Sequence, residues 1–117
     1  MSILHVDKNH FRNVIVNLVD NAIKYAGNEV NIIIEAKKVG DFVNLTVQDN
    51  GNGISVTDVP LIFEKFFRVQ KGNIYQVKGT GIGLSYVKSI ITLHQGRITV
   101  KSELNVGTTF TIELPLT

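Results

Sequence analysis

Hydrophobic side chains recur every three to four positions in two stretches of the chain, which is the spacing of an amphipathic helix. The first stretch follows Asp7 or Asn9, either of which can serve as the N-cap, and runs to about Ala26. The second covers residues 81–95 and stops at Gly96, where the helical pattern ends. The sequence therefore predicts two helices that each bury one face.

Elsewhere apolar and polar residues alternate, as they do in half-buried strands. The predicted strands cover residues 3–6, 30–38, 42–48, 97–102 and 108–114. Short turns join four of them into two hairpins. A third, short helix follows Ser55 or Thr57 and runs through Phe66. One layer of about five strands and one layer of three helices make an α+β, two-layer sandwich.

Length and composition restrict the chain to a few classes. Its 117 residues, 44% of them hydrophobic, are enough for one domain with its own core. A net charge of +2 is too small to indicate nucleic acid or a membrane surface as a partner. The chain has no cysteine, which excludes disulfides and thiolate metal sites, and no apolar run nears the ~20 residues that span a bilayer. Because the chain starts abruptly in a strand, we expect it to be a piece of a longer polypeptide.

The stretch NLVDNAIKY, residues 17–25, places three polar side chains on one side of the first helix. At about 100° per residue, Asn21 lies roughly 40° from Asn17, and Lys24 lies roughly 20° to the other side of Asn17. The stripe is either the solvated face of the helix or a site where two amide oxygens and an ammonium hold a metal and a phosphate. Other polar residues fill solvated faces at a lower helix cost than asparagine, but this stretch alone does not decide.

Two glycine-rich loops also carry candidate chemistry. DNGNG, residues 49–53, follows a strand, and GTGIG, residues 79–83, precedes the second helix. Glycines either make turns or let the backbone approach a ligand, and a glycine-rich loop before a helix N-terminus suits phosphate. Leu84 stands where a dinucleotide-binding G-x-G-x-x-G motif needs its third glycine, and the chain has no P-loop motif. The three histidines lack metal-ligand spacing, and no serine has a nucleophile-elbow context.

Five motifs stand in a fixed order along the chain. They are NLVDNAIKY, DNGNGI, IFEKFFRV, KGTGIGLSYVKSIITLHQG and GTTFTIELP. In this order they resemble the N, G1, F, G2 and C-terminal boxes of the catalytic, ATP-binding domain of sensor histidine kinases, in the GHKL (Bergerat) superfamily. The resemblance extends from Val6 to Pro115 and implies a mixed five-stranded sheet covered on one face by three helices. It also implies that residues 1–117 are one catalytic domain whose cofactors are ATP and Mg²⁺.

The resemblance implies a role for each box. Asn21, with Asn17 beside it, would coordinate Mg²⁺ through its amide oxygen, and Lys24 would pair with phosphate. Asp49 would accept a hydrogen bond from the amino group of adenine. Arg68 would stabilise charge on the γ-phosphate. The other nucleotide-binding residues implied are Tyr25, Gly51, Gly53, Gly79, Thr80, Gly81, Gly83 and Leu84.

Asn17 bears on the type of reaction. The ATP-hydrolysing relatives in the superfamily carry a glutamate at this position, and an amide does not act as a base at neutral pH. The resemblance therefore favours holding ATP for transfer over hydrolysing it. No histidine followed by an acidic residue lies in an apolar helix of this chain, so we expect the phosphoacceptor histidine on a separate dimerisation domain of the same kinase.

The resemblance also sets expectations about the whole kinase. Residues 68–80, which show no hydrophobic period, are expected to be a mobile lid over the triphosphate. The expected partners are the dimerisation domain and a downstream response regulator, with no nucleic acid. We expect this fragment to be monomeric and the full kinase to be a homodimer, of which this is a cytoplasmic part of a membrane-anchored sensor. A serine-directed kinase of the anti-sigma type and a non-catalytic ATP-sensing domain remain alternatives.

Overall fold

The structure, a computed structural model, describes residues 8–24, 29, 31–64 and 83–116. These residues form α1 (Lys8–Lys24), β1 (Ile32–Val39), β2 (Phe42–Asp49), α2 (Gly83–Leu93), β3 (Arg97–Glu103) and β4 (Gly107–Pro115). The four strands make one antiparallel sheet in the order β1, β2, β4, β3. Both predicted hairpins are confirmed, since β1 pairs with β2 and β3 pairs with β4. Strands β2 and β4 lie side by side at the centre and join the two hairpins.

The hydrophobic core lies between the helices and one face of the sheet. Every second residue of β2 and β4 faces inward, so Val47 lies opposite Phe110 and Leu45 lies opposite Ile112 in the ladder. Each helix packs on this core with the apolar side that the spacing of its hydrophobic residues predicts. The core residues are Val14, Leu18, Leu45, Val47, Ile54, Ile62, Val87, Ile90, Ile91, Phe110, Ile112 and Leu114. Because both helices pack on the same core, α1 and α2 lie against each other, which confirms the α+β class.

Helix α2 ends at Leu93, two residues before the predicted end at residue 95. Gln95, and not Gly96, takes the left-handed conformation, with a φ of 62°. The amide of Gly96 donates to the oxygen of Ile91 at 2.8 Å and that of Gln95 donates to the oxygen of Thr92 at 2.9 Å, which are the two hydrogen bonds of a Schellman motif. Gly96 is needed for space instead, because a β-carbon there would lie 2.5 Å from the backbone oxygen of Glu113.

The third predicted helix is not confirmed. Its segment holds a 3-10 helix of three residues, Val59–Leu61, and turns up to residue 64, while Phe66 lies outside the described residues. Two hydrogen bonds here span three residues, from Leu61 N to Asp58 O at 2.8 Å and from Glu64 N to Leu61 O at 2.9 Å. A segment this short does not repay the cost of starting an α-helix, so tertiary contacts decide its form.

The predicted five-stranded, mixed sheet is not confirmed either. The strand expected over residues 3–6 lies outside the described residues, and the four described strands are all antiparallel. In the portions of the chain with described structure, no helix combines the length and the apolar character needed to cross a membrane.

Candidate functional site

The polar stripe of α1 lies beside the buried face of this helix. Val14 and Leu18 are buried, whereas Asn17 and Asn21 on the neighbouring side are half-buried. Both asparagines therefore lie at the margin of the core and not on the fully solvated side. Lys24 is the last residue of α1, and its side chain lies outside the described part of the structure.

Asn17 meets the first residue of α2. A β-carbon built on Gly83 would lie 2.8 Å from Asn17 Oδ1 and 3.6 Å from Asn17 Cγ. Any side chain at position 83 would fill this space, so glycine lets the amide of Asn17 reach the start of α2 directly. The structure thus brings together two predicted site residues from motifs that are far apart in the sequence.

The amide of Asn17 has a defined orientation. Its Nδ2 donates a hydrogen bond of 2.8 Å to the backbone oxygen of Asn13, one turn earlier on α1. A carbonyl oxygen only accepts hydrogen bonds, so the amino half of the Asn17 side chain must face Asn13. The oxygen half, Oδ1, is left facing Gly83. An amide oxygen is thereby presented at the N-terminus of α2.

The N-terminus of α2 offers hydrogen-bond donors beside this oxygen. The first four amides of an α-helix have no carbonyl partner within it, and the helix dipole makes this end partly positive. Helix α2 begins at Gly83, so its first turn lies at this end, and Leu84 in that turn packs against the core. Amides that bind an anion and an amide oxygen that suits a hard cation fit a phosphate accompanied by Mg²⁺.

Asp49 ends β2 on the face of the sheet that carries the core. Its Oδ1 accepts a hydrogen bond of 2.8 Å from the amide of Gly51, which turns the DNGNG loop back over the end of the strand. Asp49 is half-buried, while Gly51 and Gly53 are buried. Gly53 has a φ of 73°, and a β-carbon there would collide with the backbone oxygen of Glu103. Both the conformation and the space at position 53 therefore require glycine.

Two further residues of this region, Ser102 and Thr108, were not identified from the sequence. Ser102 Oγ accepts a hydrogen bond of 2.7 Å from the amide of Ile54, donates one of 3.0 Å to the oxygen of Gly107, and lies 2.8 Å from Thr108 Oγ1. Since its single proton goes to Gly107, Ser102 must accept from Thr108. Thr108 is the cross-strand neighbour of Asp49. Only the pairing of β2 with β4 brings these residues beside the DNGNG loop, and no local pattern signals that pairing.

A groove of about 520 Å³ opens at this end of the sheet, where β2 and β3 end and β1 and β4 begin. It is lined by Asn31, Ile33, Gln48, Asp49, Asn50, Lys101, Ser102, Glu103, Val106, Gly107, Thr108 and Thr109. Neither helix contributes to its walls, and Asp49 is the one predicted site residue among them. The groove is therefore separate from the contact between Asn17 and Gly83.

Several predicted site residues fall outside the described residues. They are Arg68, Tyr25, Gly79, Thr80 and Gly81, and the expected lid over residues 68–80 falls there too. Among the residues with described positions, no three His, Asp or Glu side chains are grouped so that they could hold a metal ion. A cation held by Asn17 and Asn21 would use amide oxygens instead, so that role stays a prediction.

Comparisons with known proteins agree with the resemblance in the sequence. Residues 6–117 match the profile of a family described as histidine kinase-, DNA gyrase B-, and HSP90-like ATPase. The sensor protein RprX of Bacteroides fragilis (strain YCH46) is 45% identical over 116 residues, which cover 97% of this chain and 22% of RprX. The mycobacterial sensor histidine kinase MprB has a TM-score of 0.85 at 25% identity, covering 98% of this chain and 78% of that one. Full-length ShkA in complex with AMPPNP has a TM-score of 0.82 at 25% identity, covering 100% of this chain and 24% of ShkA.

Proposed function

The chain belongs to the family of histidine kinase-, DNA gyrase B- and HSP90-like ATPases, and on this premise we propose that residues 1–117 are the catalytic, ATP-binding domain of a sensor histidine kinase. The domain would bind ATP with Mg²⁺ and donate the γ-phosphoryl group to a histidine on a separate dimerisation domain. This proposal is supported by relatives that are sensor kinases and by the fact that the chain spans only 22% of RprX. The phosphoacceptor would lie in the remainder of such a protein.

The observation that carries this proposal is the approach of Gly83 to Asn17. A phosphate at the N-terminus of α2, whose first turn begins at Gly83, would accept hydrogen bonds from backbone amides there. Asn17 Oδ1 faces the same turn, and we assign it, with Asn21 on the same side of α1, as an amide ligand of Mg²⁺. We assign Lys24 to the phosphate charge. When bound, Mg²⁺ neutralises part of the negative charge of the phosphates.

Asp49 is proposed to select adenine. Its Oδ1 holds the amide of Gly51, so Oδ2 would accept a hydrogen bond from the exocyclic amino group of adenine. Guanine carries a carbonyl oxygen at the equivalent position, and two acceptors repel each other. ATP is therefore proposed over GTP. We propose that Gly51 leaves room for the ring at this end of β2, whereas Gly53, whose β-carbon space is filled by the backbone of Glu103, would act by shaping the loop.

The other proposed roles rest on the resemblance of the boxes. Arg68 would stabilise charge on the phosphoryl group in transfer, because phosphoryl transfer depends mostly on positioning and electrostatics. The remaining nucleotide contacts that we propose are Tyr25, Gly79, Thr80, Gly81, Gly83 and Leu84. Asn17 is an amide and cannot serve as a general base, so transfer is proposed over hydrolysis.

The proposed partners follow from transfer as the reaction. The dimerisation domain of the same kinase would supply the acceptor histidine, and a response regulator would receive the phosphoryl group afterwards. We propose that this chain is monomeric alone, that the full kinase is a homodimer, and that this domain is the cytoplasmic part of a membrane-anchored sensor.

The test of this function combines the purified chain, radiolabelled ATP and Mg²⁺, with and without the dimerisation domain of its own kinase. We expect very slow turnover by the chain alone, no autophosphorylation, and acid-labile phosphate on the added domain. Acid-stable phosphate would indicate a serine-directed kinase, and ATP binding without transfer would indicate a non-catalytic sensor. Brisk hydrolysis by the chain alone would contradict the donor role.

Substitutions of single residues test the proposed roles of these residues in the same assay. Arg68→Ala should lower the transfer rate far more than the ATP affinity, because its contact strengthens in the transition state. Asn21→Ala should lower both, because it removes a metal ligand. Arg97→Ala is the matched control, since Arg97 is exposed and its guanidinium pairs with Glu113 at 3.2 Å on β4. It should change neither quantity.

A further inference from the structure

Tyr86 joins the two helices one turn away from the contact between Gly83 and Asn17. Its hydroxyl shares a hydrogen bond of 3.0 Å with His10 Nδ1 and accepts one of 3.4 Å from Asn13 Nδ2. The rings of His10 and Tyr86 also lie close, with their centroids 6.2 Å apart. His10 and Asn13 are three residues apart on α1, so they share the side of the helix that faces α2.

These contacts fix the register between the helices. Gly83 contacts Asn17, and Tyr86, which lies one turn later on α2, contacts Asn13, which lies one turn earlier on α1. The two helices are therefore antiparallel here and touch at two points about one turn apart. A single contact would let α2 pivot about it, whereas two contacts determine both its axial position and its rotation.

Asn13 takes part in both contacts. Its side-chain amino group donates to the Tyr86 hydroxyl, while its backbone oxygen accepts from Asn17 Nδ2. The orientation of Asn17 Oδ1 and the position of α2 consequently depend on the same residue of α1. Contacts therefore run without a break from Tyr86 through Asn13 and Asn17 to Gly83, and none of them needs a ligand.

We infer that Tyr86, held by His10 and Asn13, is a positioning residue that keeps the start of α2 against Asn17 and so sets the geometry of the phosphate end of the site. The consequence for nucleotide binding rests on the proposed function, whereas the contact itself does not. Tyr86 lies within the motif KGTGIGLSYVKSIITLHQG, but none of the three residues is among those assigned to nucleotide or metal contacts. Loss of the Tyr86 hydroxyl should weaken ligands that use the phosphate end and spare those that use only the region of Asp49.

The first measurement uses no nucleotide. In the amide NMR spectrum, Tyr86→Phe should shift the backbone signal of Gly83 and the side-chain amide signals of Asn17. Ser89→Ala is the matched control, because it removes a hydroxyl from an exposed position of the same helix, and it should leave these signals in place. Unshifted Gly83 and Asn17 signals in Tyr86→Phe would overturn the inference, whatever the protein binds.

The second measurement compares two probes, ATP with magnesium and adenosine. Tyr86→Phe should weaken binding of ATP with magnesium about five- to tenfold, because the hydroxyl loses its hydrogen bonds to His10 and Asn13, and it should leave adenosine binding unchanged. Equal weakening of both probes would show a general loosening of the fold and would overturn the inference. If the unmodified chain binds neither probe, the proposed function fails, while the spectra still decide the positioning role.

Variants of His10 test the same hydrogen bond from its other partner, and because the His10 side chain is exposed, it tolerates replacement. His10→Asn places a polar atom as many bonds from the β-carbon as Nδ1, so it should bind ATP like the unmodified chain. His10→Ala lacks that atom and should show part of the loss seen with Tyr86→Phe. Equal affinities of the two His10 variants would contradict a positioning role for the hydrogen bond to Tyr86.

Discussion

Gly83 approaches Asn17 so closely that a β-carbon at position 83 would lie 2.8 Å from the side-chain oxygen of Asn17. Gly83 does not have a positive φ, so its backbone conformation is open to any residue, and the need for glycine is purely one of space. The contact joins the N-terminus of α2 to the polar stripe of α1. The effect of filling this space is therefore a direct measure of what the contact does.

We predict that Gly83→Ala weakens binding of ATP with magnesium at least about tenfold, or about 1.4 kcal/mol. The added methyl group must displace the oxygen of Asn17, which Asn13 holds through the other half of the amide. The free energy of unfolding should change by less than about 1 kcal/mol, because the helix preference of alanine offsets the crowding. Isothermal titration calorimetry and urea unfolding measure the two quantities.

The same change in an Asn17→Ala background is the control. Once the side chain of Asn17 is gone, the methyl group at position 83 meets nothing in this direction, so Gly83→Ala should have little further effect on affinity. Residues in contact are expected to be non-additive in this way. Additive losses in the double variant would show that Gly83 and Asn17 act separately.

Asp49→Asn should weaken ATP binding by about 1–3 kcal/mol. The asparagine oxygen can still accept from the amide of Gly51, so the loop and the stability should be preserved. Its amino group would then face the amino group of adenine, where two donors meet, and would suit the carbonyl oxygen of guanine. Competition between ATP and GTP measures the outcome. An unchanged preference between the two nucleotides would count against the assignment of Asp49.

The elements of this fold could be predicted wherever one local pattern decides them. The alternation over residues 30–38 and 42–48 predicts strands, and the structure has them at Ile32–Val39 and Phe42–Asp49. The pairing of β2 with β4 could not be predicted, because these strands are not consecutive and no turn between them sets the register. The position of Thr108 beside Asp49 depends entirely on that pairing.

In the candidate site, too, local patterns predict some features, whereas others depend on how separate elements pack. The helical period alone puts Asn17 and Asn21 on one side of α1, and both lie there at the edge of the core. The meeting of Asn17 with Gly83, and the hydroxyl of Tyr86 one turn away, depend on how two helices pack, which a single sequence does not encode in any local motif. Helix α2 ends before Gly96 as expected, but at Leu93 and not at residue 95, because Gln95 takes the left-handed conformation.

Gly40 and Gly53 both have a positive φ, and a comparison of their alanine variants distinguishes backbone strain from steric collision. Gly40 has a φ of 60° with nothing near the position of a β-carbon, whereas Gly53 has a φ of 73° with the backbone of Glu103 in the way. We predict that Gly40→Ala lowers the free energy of unfolding by about 1–2 kcal/mol, from strain alone. Gly53→Ala should lower it by at least about 3 kcal/mol, because backbone atoms cannot move aside as side chains do. Urea unfolding of the pair measures the difference, and equal losses would contradict the collision.

Ser102→Ala should lower the free energy of unfolding by about 1–3 kcal/mol. Ile54 is buried, and its amide donates to Ser102 Oγ at 2.7 Å, so the variant leaves a buried donor without its acceptor. Ser55→Ala is the matched control, because among the described residues the Ser55 hydroxyl pairs with the exposed hydroxyl of Thr57, at 3.1 Å. That change should stay within about 0.5 kcal/mol. Hydrogen exchange at the Ile54 amide should also become faster in Ser102→Ala and stay unchanged in Ser55→Ala; an unchanged rate in both would show that Ser102 does not hold this loop.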